Sequence, residues 1–258
     1  MSTPDPIAEL ARTSRLLVAL DFDGTLSPLV DEPMAARMTP AARAAVDALV
    51  AAPETAVALV SGRTLGDLRI IAEHDDDSPL LLAGSHGAEQ WPAATAGSDA
   101  PDADLLDRRD GLRARADELV AGVDGAWVEP KEFGFALHTR RVDDAALAAS
   151  VHDDLVALMT AEAPDWRRRD GRDILEYAFR ADGKDGAVAR LRAQTGATAV
   201  LFAGDDVTDE DALRSLGPGD VGVRVGGGET PAAIRVADIP ELAALLTRLA
   251  HARAAVRE

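Results

Sequence analysis

The sequence predicts an α/β fold: a parallel sheet covered on both faces, interrupted by a smaller inserted α+β unit. Three observations carry this. Apolar runs of strand length, LLVAL (16–20), TAVALVS (55–61) and LLLAG (80–84), alternate with helical patterns, and such alternation builds parallel sheets from βαβ units. The pattern stops after Trp91 and returns at TAVLFAGDD (198–206) and DVGVRVG (220–226). A chain of 258 residues is long enough for a full α/β core with an insert.

The elements follow in order. Strand 16–21 leads through Pro28 and Pro33 to Thr39-Pro40, a capping residue followed by Pro in a first helical turn, and Ala-rich 41–51 continues that helix. Strand 55–61 ends at Ser61; Gly62 and Arg63 follow, and a helix opens at Thr64 with Asp67 three residues on. LLLAGSHG (80–87) repeats the plan of apolar run and small polar residues. WPAATAGSDAPDAD (91–104) reads as a linker. Beyond it come a helix near 102–121, strands at 126–130 and 133–140, a helix at 143–161, and a hairpin of 165–170 and 172–179 turning near Gly171. A helix then runs from Lys184 to Gly196, and an amphipathic helix, ELAALLTRLAHARAAV, closes the chain. The expected organisation is core over 1–96, insert over 97–180 and core over 181–258.

The formal net charge of −18 argues against a nucleic-acid or anionic-membrane partner, both of which reward basic surfaces. No run reaches the roughly 18 uncharged apolar residues of a membrane span, and the opening MSTPDPIAELARTSR lacks a basic segment followed by an apolar one. A cytoplasmic location is the default expectation. Zero cysteines exclude disulfides, thiolate metal sites and a cysteine nucleophile. Among 27 basic residues only Lys131 and Lys184 are lysine, and both fall beside candidate site residues.

In open parallel sheets ligands bind outside the carboxyl ends of the strands, where Asp21, Ser61 and Asp205 are expected. If those strands are neighbours, the three side chains converge, and Lys184 at a helix start joins them. The Asp21 carboxylate suits nucleophilic attack on a phosphoryl group. Asp23 suits protonation of the leaving oxygen and, later, proton abstraction from water. Gly24 allows close backbone approach, and Thr25 adds a hydroxyl beside it. Ser61 and Lys184 suit a phosphoryl oxygen and the charge on the transferring group. Clustered acids repel, so the expectation includes Mg²⁺ held by Asp21, the Asp23 main-chain carbonyl and Asp205, with Asp206 and Asp209 orienting ligands behind them.

DFDGTL, then SGR, then Lys184, then GDDVTDED resembles the four motifs of the haloacid dehalogenase superfamily of phosphatases, and their order and spacing span most of the core. AGSHGAE (83–89) and the wording GDDVTDED narrow the resemblance to trehalose-6-phosphate phosphatases. The resemblance implies a Rossmann-like core with an inserted cap, and hydrolysis of α,α-trehalose 6-phosphate to trehalose and phosphate. It implies a functional link to a trehalose-6-phosphate synthase and sugar contacts at Glu129, Lys131, His138, Arg172 and Glu176. One departure stands out: the family usually has Gly after the motif lysine, whereas here Asp185 precedes Gly186. Read without the resemblance, Glu129 and Lys131 are equally a cross-strand pair, His138 a sheet histidine, Glu176 a solvent-facing acid, His86 a hinge or core residue, and Arg167 to Arg169 a solvated hairpin. The rival functions are a phosphatase of sucrose phosphate or a mannosyl phosphate, a phosphosugar mutase using the same aspartate, and a silent sugar-phosphate sensor.

Overall fold

A computed structural model of the chain describes residues 5–92, 103–171, 173–179 and 183–256. In chain order the helices and strands are α1 (Pro6–Arg12), β1 (Leu16–Leu20), α2 (Pro40–Val50), β2 (Thr55–Val60), α3 (Leu65–Ile71), β3 (Leu81–Gly84) and β4 (Glu89–Trp91). Next come α4 (Ala103–Val120), β5 (Trp127–Lys131), β6 (Gly134–His138), α5 (Ala145–Glu162), β7 (Arg167–Gly171) and β8 (Ile174–Ala178). The chain ends with α6 (Lys184–Thr195), β9 (Ala199–Gly204), α7 (Glu210–Ser215), β10 (Val221–Val225), β11 (Ile234–Val236) and α8 (Ile239–Ala255). It divides into two compact units, Met1–Ala94 with Asp182–Glu258, and Thr95–Ala181.

The larger unit is an α/β layer structure with a seven-stranded sheet in the order β11-β10-β9-β1-β2-β3-β4. Every pairing is parallel except β3 with β4. All five residues of β1 are buried, because the strand lies mid-sheet with helices on both faces. Alternation sends Leu16, Val18 and Leu20 into one core with α1, α2 and α8. Leu17 and Ala19 face the other, with Ala187, Val188 and Leu191 of α6 and Ala212 and Leu213 of α7. Register matters most for function: Leu20 pairs with Leu59 on β2 and with Ala203 on β9. Three neighbouring strands therefore end at one level, and the residues just beyond them share one edge.

Local signals explain the helix starts. The Thr39 hydroxyl accepts from the Ala42 N–H with Pro40 in the first turn, and the Thr64 hydroxyl accepts from the Asp67 N–H, each cap worth about 1 kcal/mol. The elements the sequence reading omitted are short: α1, α7 and the edge strands β4 and β11, the strands being three residues each. Three residues show no period, so pairing rather than pattern makes them strands. Trp91, read as the start of a linker, ends β4; residues 93–102 of that linker lie outside the described residues.

The C-terminal helix is tied down by Arg253, only 2% exposed. Its guanidinium donates to the carbonyls of Leu10, Ala11, Thr13, Pro53 and Glu54 and to the Thr55 hydroxyl, at 2.7 to 3.3 Å. One cation thus satisfies the end of α1 and the entry to β2.

The smaller unit is α+β. Its four-stranded antiparallel sheet has the order β5-β6-β8-β7, and one face packs Phe135, Leu137, Leu175 and Tyr177 against Leu112 and Ala116 of α4 and Val151, Leu155 and Met159 of α5. The other face carries the alternate residues, Glu129, Lys131, His138, Glu176 and Arg169 among them. Among the described residues of the chain, no helix is long and apolar enough to cross a membrane.

Candidate active site

Asp21 stands one residue past β1, with its N–H donating to the Ala203 carbonyl of β9 at 2.9 Å. The chain then turns tightly: the Gly24 N–H reaches the Ser27 carbonyl at 2.7 Å, and Gly24 takes a φ of +80°, a conformation open to glycine at no steric cost. The turn buries the Thr25 hydroxyl, which donates to Asp205 Oδ1 at 2.8 Å and Asp21 Oδ2 at 3.3 Å.

Asp205 follows β9, and the 3₁₀ turn beyond it is organised by Asp209, whose Oδ2 accepts the N–H groups of Asp205 and Asp206 at 3.1 and 2.9 Å. Gly204 makes room for this, since a Cβ there would lie 2.2 Å from Asp209 Cγ. Asp206 caps the turn through its side chain and is exposed. The Lys184 ammonium, 3% exposed at the start of α6, donates to Asp21 Oδ1 and to Asp209 Oδ1 at 2.6 Å each. Asp185 lies in the same first turn and has one buried carboxylate oxygen without a hydrogen-bond partner.

The electrostatics follow from burial and crowding. Burial drives the Asp21 pKa well above its ordinary value against the pull of Lys184, and Asp209 and Asp205 push the same way. Asp205 is raised by burial and by Asp209, partly offset by the Thr25 hydrogen bond. Burial alone would lower Lys184, but the charges of Asp209 and Asp21 outweigh it and hold the ammonium raised and protonated. Asp21, Asp205 and Asp209 each offer an oxygen within 4.8 Å of the others. That is a donor set of hard oxygens with more negative charge than one lysine neutralises, which suits a divalent cation.

Ser61, one residue past β2, is 2% exposed, and its Oγ accepts the Arg63 N–H at 3.1 Å. Asp23 is held elsewhere than the acid cluster: its carboxylate is gripped by the Arg63 guanidinium. The AGSHGAE turn braces the Ser61 loop, with the Ser85 N–H on the Arg63 carbonyl at 2.6 Å and the His86 N–H on the Ser61 carbonyl at 2.9 Å. Ser85 and His86 both take positive φ, 48° and 55°, and His86 is buried. The Asp205 carboxylate and Gly24 also border a cavity of about 430 Å³ walled by Pro28, Leu29, Gly226 and Ile239.

In the smaller unit, Glu129 Oε1 accepts from Lys131 Nζ at 2.6 Å and its Oε2 pairs with His138 Nε2 at 2.7 Å. The Trp127 ring stacks on His138 with centroids 4.4 Å apart. Burial alone would raise Glu129, but the His138 hydrogen bond and the Lys131 charge pull its pKa down to about 2. Across the sheet Glu129, Ala136, Glu176 and Arg169 form one row, and Arg169 Nη1 donates to Glu176 Oε1 at 2.8 Å. Arg172 lies outside the described residues.

Two residues were passed over by the sequence reading. Arg169, read as part of a solvated run, is 11% exposed at its side chain and paired with Glu176; period-two alternation separates it from Arg168, which pairs with Asp170 at the surface. Arg63 stands in SGR, yet nothing in the spacing indicates that it reaches Asp23.

Comparisons with known proteins bear on the family and the fold. A family model described as trehalose-phosphatase matches residues 19–232. The chain is 35% identical over 243 residues to an uncharacterized glycosyl hydrolase of Mycobacterium tuberculosis (86% of this chain, 17% of that protein). It is 32% identical over 236 residues to a trehalose-phosphate phosphatase of Mycobacterium marinum (86% and 58%). It therefore spans less than two thirds of those relatives. The C-terminal domain of the trehalose-6-phosphate phosphatase of C. albicans superposes with a TM-score of 0.77 at 20% identity, covering 95% of both chains, which shows a shared fold.

Proposed function

We propose that this chain, which belongs to the trehalose-phosphatase family, hydrolyses trehalose 6-phosphate to trehalose and phosphate through an aspartyl phosphate on Asp21. The observation that carries the reading is Lys184 bridging Asp21 and Asp209 at 2.6 Å beside Asp205, at the carboxyl ends of adjacent strands.

The Asp21 carboxylate attacks phosphorus as the bond to the sugar oxygen breaks, and Asp23 gives that oxygen its proton. Trehalose leaves. Asp23 then takes a proton from water, whose oxygen attacks the same phosphorus and releases phosphate from Asp21. Ser61 and Lys184 hold the phosphoryl oxygens, and the Thr25 hydroxyl tethers the carboxylates of Asp21 and Asp205. Asp21, Asp205 and the Asp23 main-chain carbonyl would hold Mg²⁺, with Asp209 beside them. The ion supplies the positive charge that keeps a buried nucleophile ionised against an anionic substrate.

Glu129, Lys131, His138 and Glu176 are assigned to the sugar hydroxyls, with Arg172 as a further basic contact. A site built to hydrogen-bond sugar hydroxyls rejects analogues lacking them, because the groups aimed at the substrate are then left unpaired. The reading places the reaction in the cytoplasm, functionally linked to a trehalose-6-phosphate synthase.

Phosphate release from a panel of sugar phosphates, with and without chelator, tests this. Trehalose 6-phosphate should be preferred and chelator should abolish turnover. Preference for sucrose phosphate or a mannosyl phosphate would move the reading to a related phosphatase, retention of the phosphoryl group on sugar to a mutase, and ligand binding without turnover to a sensor. Glu129→Ala and Glu176→Ala should weaken trehalose 6-phosphate turnover far more than that of a small ester.

A further inference from the structure

Proton transfer at Asp23 needs its carboxyl group in one place for both halves of the reaction, and the structure shows what holds it there. Arg63 Nε donates to Asp23 Oδ2 at 2.7 Å and Arg63 Nη2 to Oδ1 at 2.6 Å. Two parallel bonds from a planar guanidinium fix the position and the plane of a carboxylate, whereas an ammonium fixes neither. The pair is sheltered, with side chains 18% and 26% exposed.

Arg63 is itself anchored. Its N–H donates to Ser61 Oγ at 3.1 Å, and its carbonyl accepts the Ser85 N–H at 2.6 Å. The backbone that presents Ser61 thus also aims the guanidinium at Asp23, across neighbouring strand ends.

We infer that Arg63 is a positioning residue for the acid–base step, holding the Asp23 carboxyl group where a proton passes first to the leaving oxygen and then from water. This rests on the reading of Asp23 as proton donor given above. The bookkeeping is consistent: as the Asp21–phosphorus bond forms and the bond to the leaving oxygen breaks, the proton of Asp23 moves to that oxygen. Asp23 is left as the carboxylate that Arg63 grips. It regains a proton from the attacking water as the Asp21–phosphorus bond breaks.

The test compares two esters with the full chain and Mg²⁺. The alkoxide leaving from trehalose 6-phosphate needs a proton, whereas the phenolate from p-nitrophenyl phosphate does not. Arg63→Gln should lower kcat/KM, which reports only phosphoryl transfer to Asp21, about 100-fold on the sugar ester, the scale of general acid catalysis, and by no more than about threefold on the aryl ester, while hydrolysis of the shared aspartyl phosphate slows alike from either ester. Arg63→Lys, which keeps the charge without the fork, should show the same split at about tenfold, and serves if the Gln variant does not fold. In an Asp23→Asn background Arg63→Gln should add less than about threefold, since the two act as a unit.

Equal losses of kcat/KM on both esters, additivity with Asp23→Asn, or unchanged rates would each overturn the inference. A wild-type chain active on p-nitrophenyl phosphate but not on trehalose 6-phosphate overturns the substrate reading alone, and the comparison is then made with the alkyl ester it accepts. Activity on neither overturns both.

Discussion

The main chain at Gly24 passes so close to Asp205 that a Cβ there would fall 2.1 Å from Oδ2 of its carboxylate. Relief by rotation of Gly24 is closed off, since its φ of +80° is already one that side chains avoid, at about 1–2 kcal/mol for an L residue. Gly24→Ala should therefore fold with a modestly lowered Tm but displace Asp205 from Thr25, costing at least about 100-fold in phosphate release. Thermal melting and a phosphate assay on the same sample check both halves; full activity would mean that the Asp205 position is not used.

The strand ends and their acids were legible because buried central strands are continuous apolar runs and three of the four motifs sit just past them, with Lys184 at a helix start. LLVAL and TAVLFAG read correctly for that reason. What stayed hidden was pairing between distant residues. Arg63 reaches Asp23 across 40 positions, and Asp209 holds Lys184 across 25; no local period reports either. Arg169 could have been found, since alternation from Glu176 through a hairpin turning near Gly171 places the two on one face. Arg253 could not, because all but one of its partners are main-chain carbonyls, which carry no sequence signal.

That buried guanidinium gives the second prediction. Arg253→Met keeps much of the bulk but removes the guanidinium from five carbonyls and the Thr55 hydroxyl, of which the Leu10, Pro53 and Glu54 carbonyls keep a second donor. Stability should fall by about 3 kcal/mol or more. The residue touches none of the site, so kcat of the folded fraction should stay at the wild-type value. Urea denaturation and kinetics well below the midpoint check this, and an unchanged midpoint would show that water replaces the lost donor.

The clustering of Asp21, Asp205 and Asp209 makes a prediction about metal that does not depend on turnover. A cation that binds the folded chain stabilises it by about 2.7 kcal/mol at a hundredfold excess over its Kd, or roughly 5–10 °C in Tm for a chain of this size. Mg²⁺ should raise Tm on that scale and chelator should reverse it. Asp205→Asn should lose most of the shift, whereas Asp206→Asn, on an exposed capping residue, should keep it. A Tm indifferent to Mg²⁺ would remove the ion from the site.

Glu129 links the sheet of the smaller unit to pH. Its carboxyl group sits at about 2 in the folded chain against an ordinary 4.5, with Lys131 and His138 outweighing burial. A carboxylate depressed on folding contributes stability that is fully present above about pH 4.5 and is lost as pH falls through about 2, because the unfolded chain binds the proton first. Glu129→Gln removes the titrating group and keeps its shape. The variant should be less stable than wild type at neutral pH, and the gap should close as the solution is acidified across that window. With the side chain a third exposed, solvent screens the pair and the gap should shrink further in high salt. Denaturation midpoints at several pH values check the sign, and a gap that stays constant down to pH 2 would show that Lys131 and His138 do not hold Glu129 in its charged form.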